Sequence, residues 1–150
     1  MEHTQKDEAA IRALIDAFAG AIRARDIDGV MAVFAPEVVS FDLTPPLYHG
    51  GGEAFRRRWT AFFDTHAQTG TYAVTDLHIA VGGDTAFSHS LNRTQALPER
   101  WVRWTACYRR IEAAWRIVHE HVSVPVDPQH GRAVLDLTPG ASAHENRAGN

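Results

Sequence analysis

WRIVHEHVSVP, residues 115–125, alternates with period two. Trp115, Ile117, His119, His121 and Ser123 fall on one face, and Arg116, Val118, Glu120, Val122 and Val124 on the other. That is the pattern of a half-buried strand. Its second half sets three hydrogen-bonding side chains in a row on one face. Buried, they need partners or a ligand, because an unpaired buried polar group is costly; exposed, they need nothing.

Working outward, three further runs read as strands: Tyr72 to Val81, Thr85 to Ala96 and Arg100 to Ile111. The breaks Gly82-Gly83-Asp84, Leu97-Pro98-Glu99 and Glu112-Ala113-Ala114 are each short enough for a hairpin. Helices precede this meander. Ile11, Leu14, Ile15, Phe18 and Ile22 recur at helical spacing from about Asp7 to Arg25. Asp26 opens a shorter helix with Ile27, Val30, Met31 and Phe34, stopped by Pro36. Val38 to Asp42 reads as a first strand, and Thr44-Pro45-Pro46 and Gly50-Gly51-Gly52 as breaks. Glu53 starts a third helix with Phe55, Trp59, Phe62 and Phe63 on one stripe, and Arg56, Arg57 and Arg58 are assigned to its solvated face. Helices followed by an antiparallel meander define an α+β fold. A long sheet curls, so three helices over a curved sheet of five or six strands make a cone whose interior is a small-molecule pocket. Ala133 to Leu137 is expected to add an edge strand. Residues 1–138 form one domain, and 139–150 are expected to be a disordered tail.

The 150 residues carry a net charge of −3, with the basic residues scattered apart from the arginine triplet. Nucleic acid and anionic membranes are therefore not the expected partners. Lys6 is the sole lysine, which leaves a Schiff-base mechanism almost without a candidate. The single cysteine, Cys107, excludes an internal disulfide and fits a reducing compartment. The polar start MEHTQKDEAA is not a signal peptide and no apolar run reaches membrane-spanning length, so a cytoplasmic protein is expected.

DIDGVMAVFAPEVVSFD, PPLYHGGGEAFRRRW, WRIVHEHVSVP and RAVLDLTP together resemble the SnoaL-like branch of the nuclear transport factor 2-like superfamily, and more narrowly its ketosteroid-isomerase-related homologues. The resemblance spans about Asp7 to Pro139. It implies a cystatin-like cone and places Asp42 at the position of the isomerases' general-base aspartate. Their oxyanion tyrosine falls at Phe18, and their protonated aspartate near Cys107, or Thr105 in a shifted register. The base position is kept and the enolate-stabilising pair is not, which removes much of the case for steroid isomerisation.

Asp42 is the first candidate catalytic residue, taking a proton alpha to a carbonyl or orienting a water; the competing reading is an aspartate capping the Thr44 turn. His121 is the second. With the last hairpin closing around Ala113, Arg103, Thr105 and Cys107 oppose the histidine face, giving a polar stripe of Arg103, Thr105, His119, His121 and Ser123. Facing the cavity, it supplies a histidine acid/base and donors for an oxyanion or carboxylate; facing outward, it is a polar convex face or a dimer contact. The inward arrangement is the expectation carried forward. The opposite face, Val102, Trp104, Ala106, Tyr108, Val118, Val122 and Val124, is more apolar, and a one-residue slip or bulge would exchange the two. Read as the convex side, it suits pairing, and a homodimer is expected. Of His89 and Asn92, at most one lines the cavity. Tyr48 and His49 are placed at the mouth, and Trp59 on the wall. His-x-His without a third ligand is weak evidence for metal, so neither metal nor cofactor is expected. Two functions stand: cofactor-free isomerisation, cyclisation or dehydration of a carbonyl compound, or non-catalytic ligand binding or association on the same scaffold.

Overall fold

The computed structural model describes residues 2–66, 71–94 and 100–140. The Leu97-Pro98-Glu99 turn and residues 141–150 of the expected tail lie outside the described residues. Three helices, α1 (Glu2–Ala24), α2 (Ile27–Met31) and α3 (Gly52–Thr65), are followed by the long strands β3 (Ala73–Gly82), β4 (Thr85–Thr94), β5 (Arg100–Ile111) and β6 (Ala114–Ser123). Two strands precede α3: β1 (Phe34–Phe41) and the short β2 (His49–Gly50). The six form one curved sheet in the order β2-β1-β6-β5-β4-β3, antiparallel except for β1 beside β6. This is the α+β architecture expected from the sequence. Among the described residues no helix is long and apolar enough to cross a membrane.

The apolar spacing of α1 is spent on the core: Ile11, Ile15, Phe18 and Ile22 are all buried. Phe18 meets Phe34, Trp59, Tyr72 and Trp104 at ring-centroid distances of 5.5, 5.8, 5.8 and 5.6 Å. One aromatic ring thus ties α1 to α3 and to both halves of the sheet. Asp26 caps α2, its Oδ1 accepting from Gly29 N at 3.0 Å. The N-terminal part of α1 is fastened by Asp7, which pairs with Arg110 at 2.7 Å and accepts from Trp115 Nε1 at 3.3 Å.

Two boundaries differ from expectation. Phe34 belongs to β1 rather than to α2, and Pro36 lies inside the strand. The β1–β6 register is irregular between Phe34 and Val39, as a residue without an N–H requires. Ala133 to Leu137 is no edge strand: only Arg132–Ala133 (β8) pairs, with Val126–Asp127 (β7), as a separate two-stranded ribbon.

The decisive difference lies in β6. The β5–β6 hairpin closes through Glu112 and Ala113, both with positive φ. Arg103 opposes Ser123, Thr105 opposes His121 and Cys107 opposes His119, as the sequence pairing predicts. Yet Tyr108 opposes Ile117, so Val118 is one residue too many. A bulge of this kind reverses the side-chain alternation beyond it. Trp115 and Ile117 face the core before the bulge; after it, Glu120 is buried and His121 exposed. The apolar β5 face of Val102, Trp104, Ala106 and Tyr108 is buried under the helices. The stripe on which convex-face pairing was argued is therefore the core side, and that support for a homodimer falls away.

Candidate functional site

The aromatic cluster leaves a small cavity of about 50 Å³ between α1, α3 and the sheet. Its walls are largely aromatic, from Phe18, Trp59, Phe62, Tyr72 and Trp104, and its polar side chains include Asp42, Arg58, Asn92, Thr94 and Glu120. That volume has room for a few waters or one end of a larger molecule.

Asp42 follows β1 directly and its side chain is 3% exposed. Its Oδ1 accepts from the adjacent Leu43 N at 2.7 Å, and the residue lines the cavity. Oδ2 forms an ion pair with Arg58 Nε. Arg58 is not on the solvated face of α3; its side chain is only 16% exposed. Its guanidinium lies over Trp59 and Phe62, 4.7 and 5.4 Å from the ring centroids. Arg56 and Arg57 are outward, as expected. Spacing carries the signal for Arg58: with Phe55, Trp59 and Phe62 it follows the i, i+3, i+4, i+7 rule of a buried stripe.

Glu120 is the group that sequence reasoning left on the wrong face. It is 4% exposed. Oε1 accepts from Ser40 Oγ at 2.8 Å and Oε2 from Trp104 Nε1 at 2.9 Å. Ser40 stands opposite Glu120 in the parallel β1–β6 ladder, and both donors are themselves buried. Burial pushes the Glu120 carboxyl above the ordinary glutamate value; the Ser40 and Trp104 hydrogen bonds oppose this, and the nearby Asp42 charge adds to it. Glu120 thus retains its proton to a higher pH than an exposed glutamate.

Further donors surround the cavity. Tyr72 OH accepts from Asn92 Nδ2 at 2.8 Å, and Asn92 Oδ1 accepts from Ser90 Oγ at 2.7 Å. Burial raises the Tyr72 phenol, keeping its hydroxyl protonated. Trp59 Nε1 and Arg58 Nη1 are buried and have no hydrogen-bond partner among the described residues. A buried donor left in that state costs about 1–3 kcal/mol.

The remaining expected residues go elsewhere. His121, Arg103 and Thr105 are exposed on the outer sheet face. Arg103 Nε donates to Ser123 Oγ at 3.1 Å. His119 Nδ1 donates to the Val39 carbonyl at 2.8 Å, and both histidine rings pack edge-on against Phe41. His119, His121, Ser123, Arg103 and Thr105 therefore form the predicted stripe, but outside; the Val118 bulge is the reason. Tyr48 is 56% exposed and does not line the cavity, while Trp59 does. Of His89 and Asn92, Asn92 is the one inside. Cys107 and Thr105 also sit on the outer side of β5, so neither replaces the isomerases' protonated aspartate. Among the described residues no three His, Cys, Asp or Glu side chains gather as a metal site.

No curated protein matches the chain. Among solved structures, an NTF2-like protein of unknown function from Pseudomonas putida KT2440 is 32% identical, with TM-score 0.81 over 91% of this chain and 99% of that one. A cystatin-like-fold protein of unknown function from Nostoc punctiforme PCC 73102 superposes with TM-score 0.70 at 21% identity, over 83% and 94% of the two chains. A ketosteroid isomerase-like protein from Erwinia carotovora atroseptica SCRI1043 does so with TM-score 0.63 at 16% identity, over 77% and 93%. The last two likenesses concern the fold alone. The SnoaL-like domain model matches residues 11–127, which takes in both cavity carboxyls, and the chain belongs to the SnoaL-like domain family.

Proposed function

We propose that this protein binds a small carbonyl compound in the cavity and moves a proton on it without a cofactor, as an isomerase, cyclase or dehydratase. The observation that carries this reading is the presence of two carboxyl groups in different electrostatic settings, Asp42 beside Arg58 and Glu120 beneath Ser40 and Trp104, on one aromatic-walled cavity. Such a division suits one group as base and the other as acid. Asp42 takes a proton from the carbon alpha to the carbonyl; the C–H electron pair becomes the C=C bond and the carbonyl π pair moves onto oxygen, giving an enolate. Glu120 returns its proton to a carbon of the conjugated system in isomerisation, or to a leaving hydroxyl in dehydration. The net transfer from Glu120 to Asp42 is reset by exchange with water. Arg58 positions Asp42. His121, on the outer face, has no part in the step.

One observation favours the alternative of a non-catalytic ligand-binding module: the guanidinium of Arg58 already engages the oxygen of Asp42 that would accept the proton. The two readings separate in deuterium oxide. Ketones such as cyclohexanone and acetophenone are incubated with the protein and their alpha-proton signals followed by NMR. The enzyme reading expects exchange above buffer, reduced about 10²–10⁴-fold in Asp42→Asn, the usual worth of a general base. Exchange that persists in Asp42→Asn refutes the assignment. Ketone binding without exchange favours the binding module.

A further inference from the structure

The inner cavity adjoins a larger groove of about 630 Å³ between α3 and the Leu43–Pro45 segment; Leu43, Arg58 and Phe62 line both. Only one end of a ligand fits the inner space, and the rest must lie in the groove. We propose that the ligand is a carbonyl compound with an anionic far end: its carbonyl oxygen is received by Trp59 Nε1 and Arg58 Nη1, and its anionic group rests in the groove beside Arg57 and His49. This rests on the reading of the cavity as a ligand site.

Chemistry at the inner end argues for an oxygen acceptor. An indole N–H and a guanidinium N–H donate and never accept. They belong to consecutive residues of one helix, both residues line the cavity, and neither N–H has a partner among the described residues despite burial. Charge argues for a neutral group there. Asp42 and Arg58 offset each other, and a carboxylate pushed into the same space would stand near Asp42 and Glu120 with no unmatched cation. The groove is different. Arg57, His49 and His66 line it and, among the described residues, no Asp or Glu does; the one acid beside Arg57 is the almost fully exposed Glu53, 4.0 Å away and off the lining. His49 Nε2 is likewise buried without a partner among the described residues. Neutral carbonyl inside and anion outside is the polarity that these linings select.

Three probes test it: 4-acetylbenzoate, acetophenone and benzoate, followed by calorimetry and by the infrared carbonyl stretch of ketones labelled with ¹³C at the carbonyl. The proposal expects 4-acetylbenzoate to bind about tenfold more tightly than acetophenone, the worth of one charge-assisted contact, and benzoate to bind less well than 4-acetylbenzoate. The ketone stretch should move to lower frequency on binding. Trp59→Phe keeps a ring and removes the N–H; it should weaken both ketones about five- to tenfold and shrink the infrared shift. Arg57→Gln, at an exposed side chain where folding is not at risk, should abolish the advantage of 4-acetylbenzoate and leave the infrared shift intact. No binding, equal affinity of the two ketones, or an infrared shift unchanged in folded Trp59→Phe overturns the proposal. Binding and exchange are separate readouts. If the shift and its loss in Trp59→Phe hold while deuterium exchange fails, the proton-transfer reading falls and this subsite stands; if exchange holds and Trp59→Phe alters nothing, this inference falls alone.

Discussion

Replacing Glu120 with glutamine should change how stability responds to pH. Burial holds the folded-state carboxyl above its ordinary value of 4.5, whereas in the unfolded chain it titrates near that value. Below pH 4.5 the proton is bound in both states and the favourable contribution of the neutral carboxyl is fully present. As pH rises from there through the folded-state pKa, the unfolded chain releases the proton first. The folded state then holds one proton more, and unfolding becomes easier by up to about 1.4 kcal/mol per pH unit. With a urea m-value of roughly 1–3 kcal/mol/M, the unfolding midpoint of the parent falls by roughly 0.5–1.4 M per pH unit relative to Glu120→Gln. Glutamine mimics the protonated acid: its amide can donate to Ser40 Oγ while its carbonyl accepts from Trp104 Nε1. Urea titrations of both proteins between pH 4.5 and 8 isolate the effect, because every other titrating group is common to the pair. Adding Asp42→Asn to both should narrow the window, since Asp42 contributes to the upward displacement. Parallel stability profiles of parent and Glu120→Gln across that range would refute the reasoning.

Two further expectations concern residues that sequence and structure place differently. Arg58→Met strips the counter-charge from a side chain that is 3% exposed and should cost about 3–5 kcal/mol, measured by urea unfolding; combining it with Asp42→Asn should recover part of that loss, and strict additivity would show the pair to be uncoupled. His121→Ala, on the exposed outer face, should change stability by no more than about 0.5 kcal/mol and leave 4-acetylbenzoate affinity as it was; a large loss of affinity would put the histidine back in the site.

Much of the fold is legible because its cues are local. Ile11, Ile15, Phe18 and Ile22 declare α1 by spacing, and the break at Glu112-Ala113-Ala114 marks where β5 turns into β6. Even the polar stripe of Arg103, Thr105, His119, His121 and Ser123 is legible across two strands. Its direction is not, because a bulge belongs to the pairing of three strands and leaves no mark in β6 alone. Arg58 shows a different limit. Its place in the stripe with Phe55, Trp59 and Phe62 is visible, but its charge argues for solvent until Asp42, sixteen positions earlier in the numbering, is known to face it. Asp42 stands out through the family resemblance alone; composition does not distinguish it from the other acids.

The energetic case for the bulge lies in what each alternative would bury. Without Val118 as an extra residue, the alternation would carry His119, His121 and Ser123 to the core face, where two imidazoles and a hydroxyl each need partners. It would also turn Val122 outward and leave Trp104 Nε1, in a residue 2% exposed, facing no carboxylate. With the bulge, a single carboxyl enters and closes the account of three buried groups at once: Ser40 Oγ and Trp104 Nε1 both donate to Glu120. The histidines go where water and the Val39 carbonyl satisfy them. The same inserted residue that relieves the core of its imidazoles therefore delivers the second carboxyl to Asp42, and the chemistry proposed for the cavity depends on that exchange of faces.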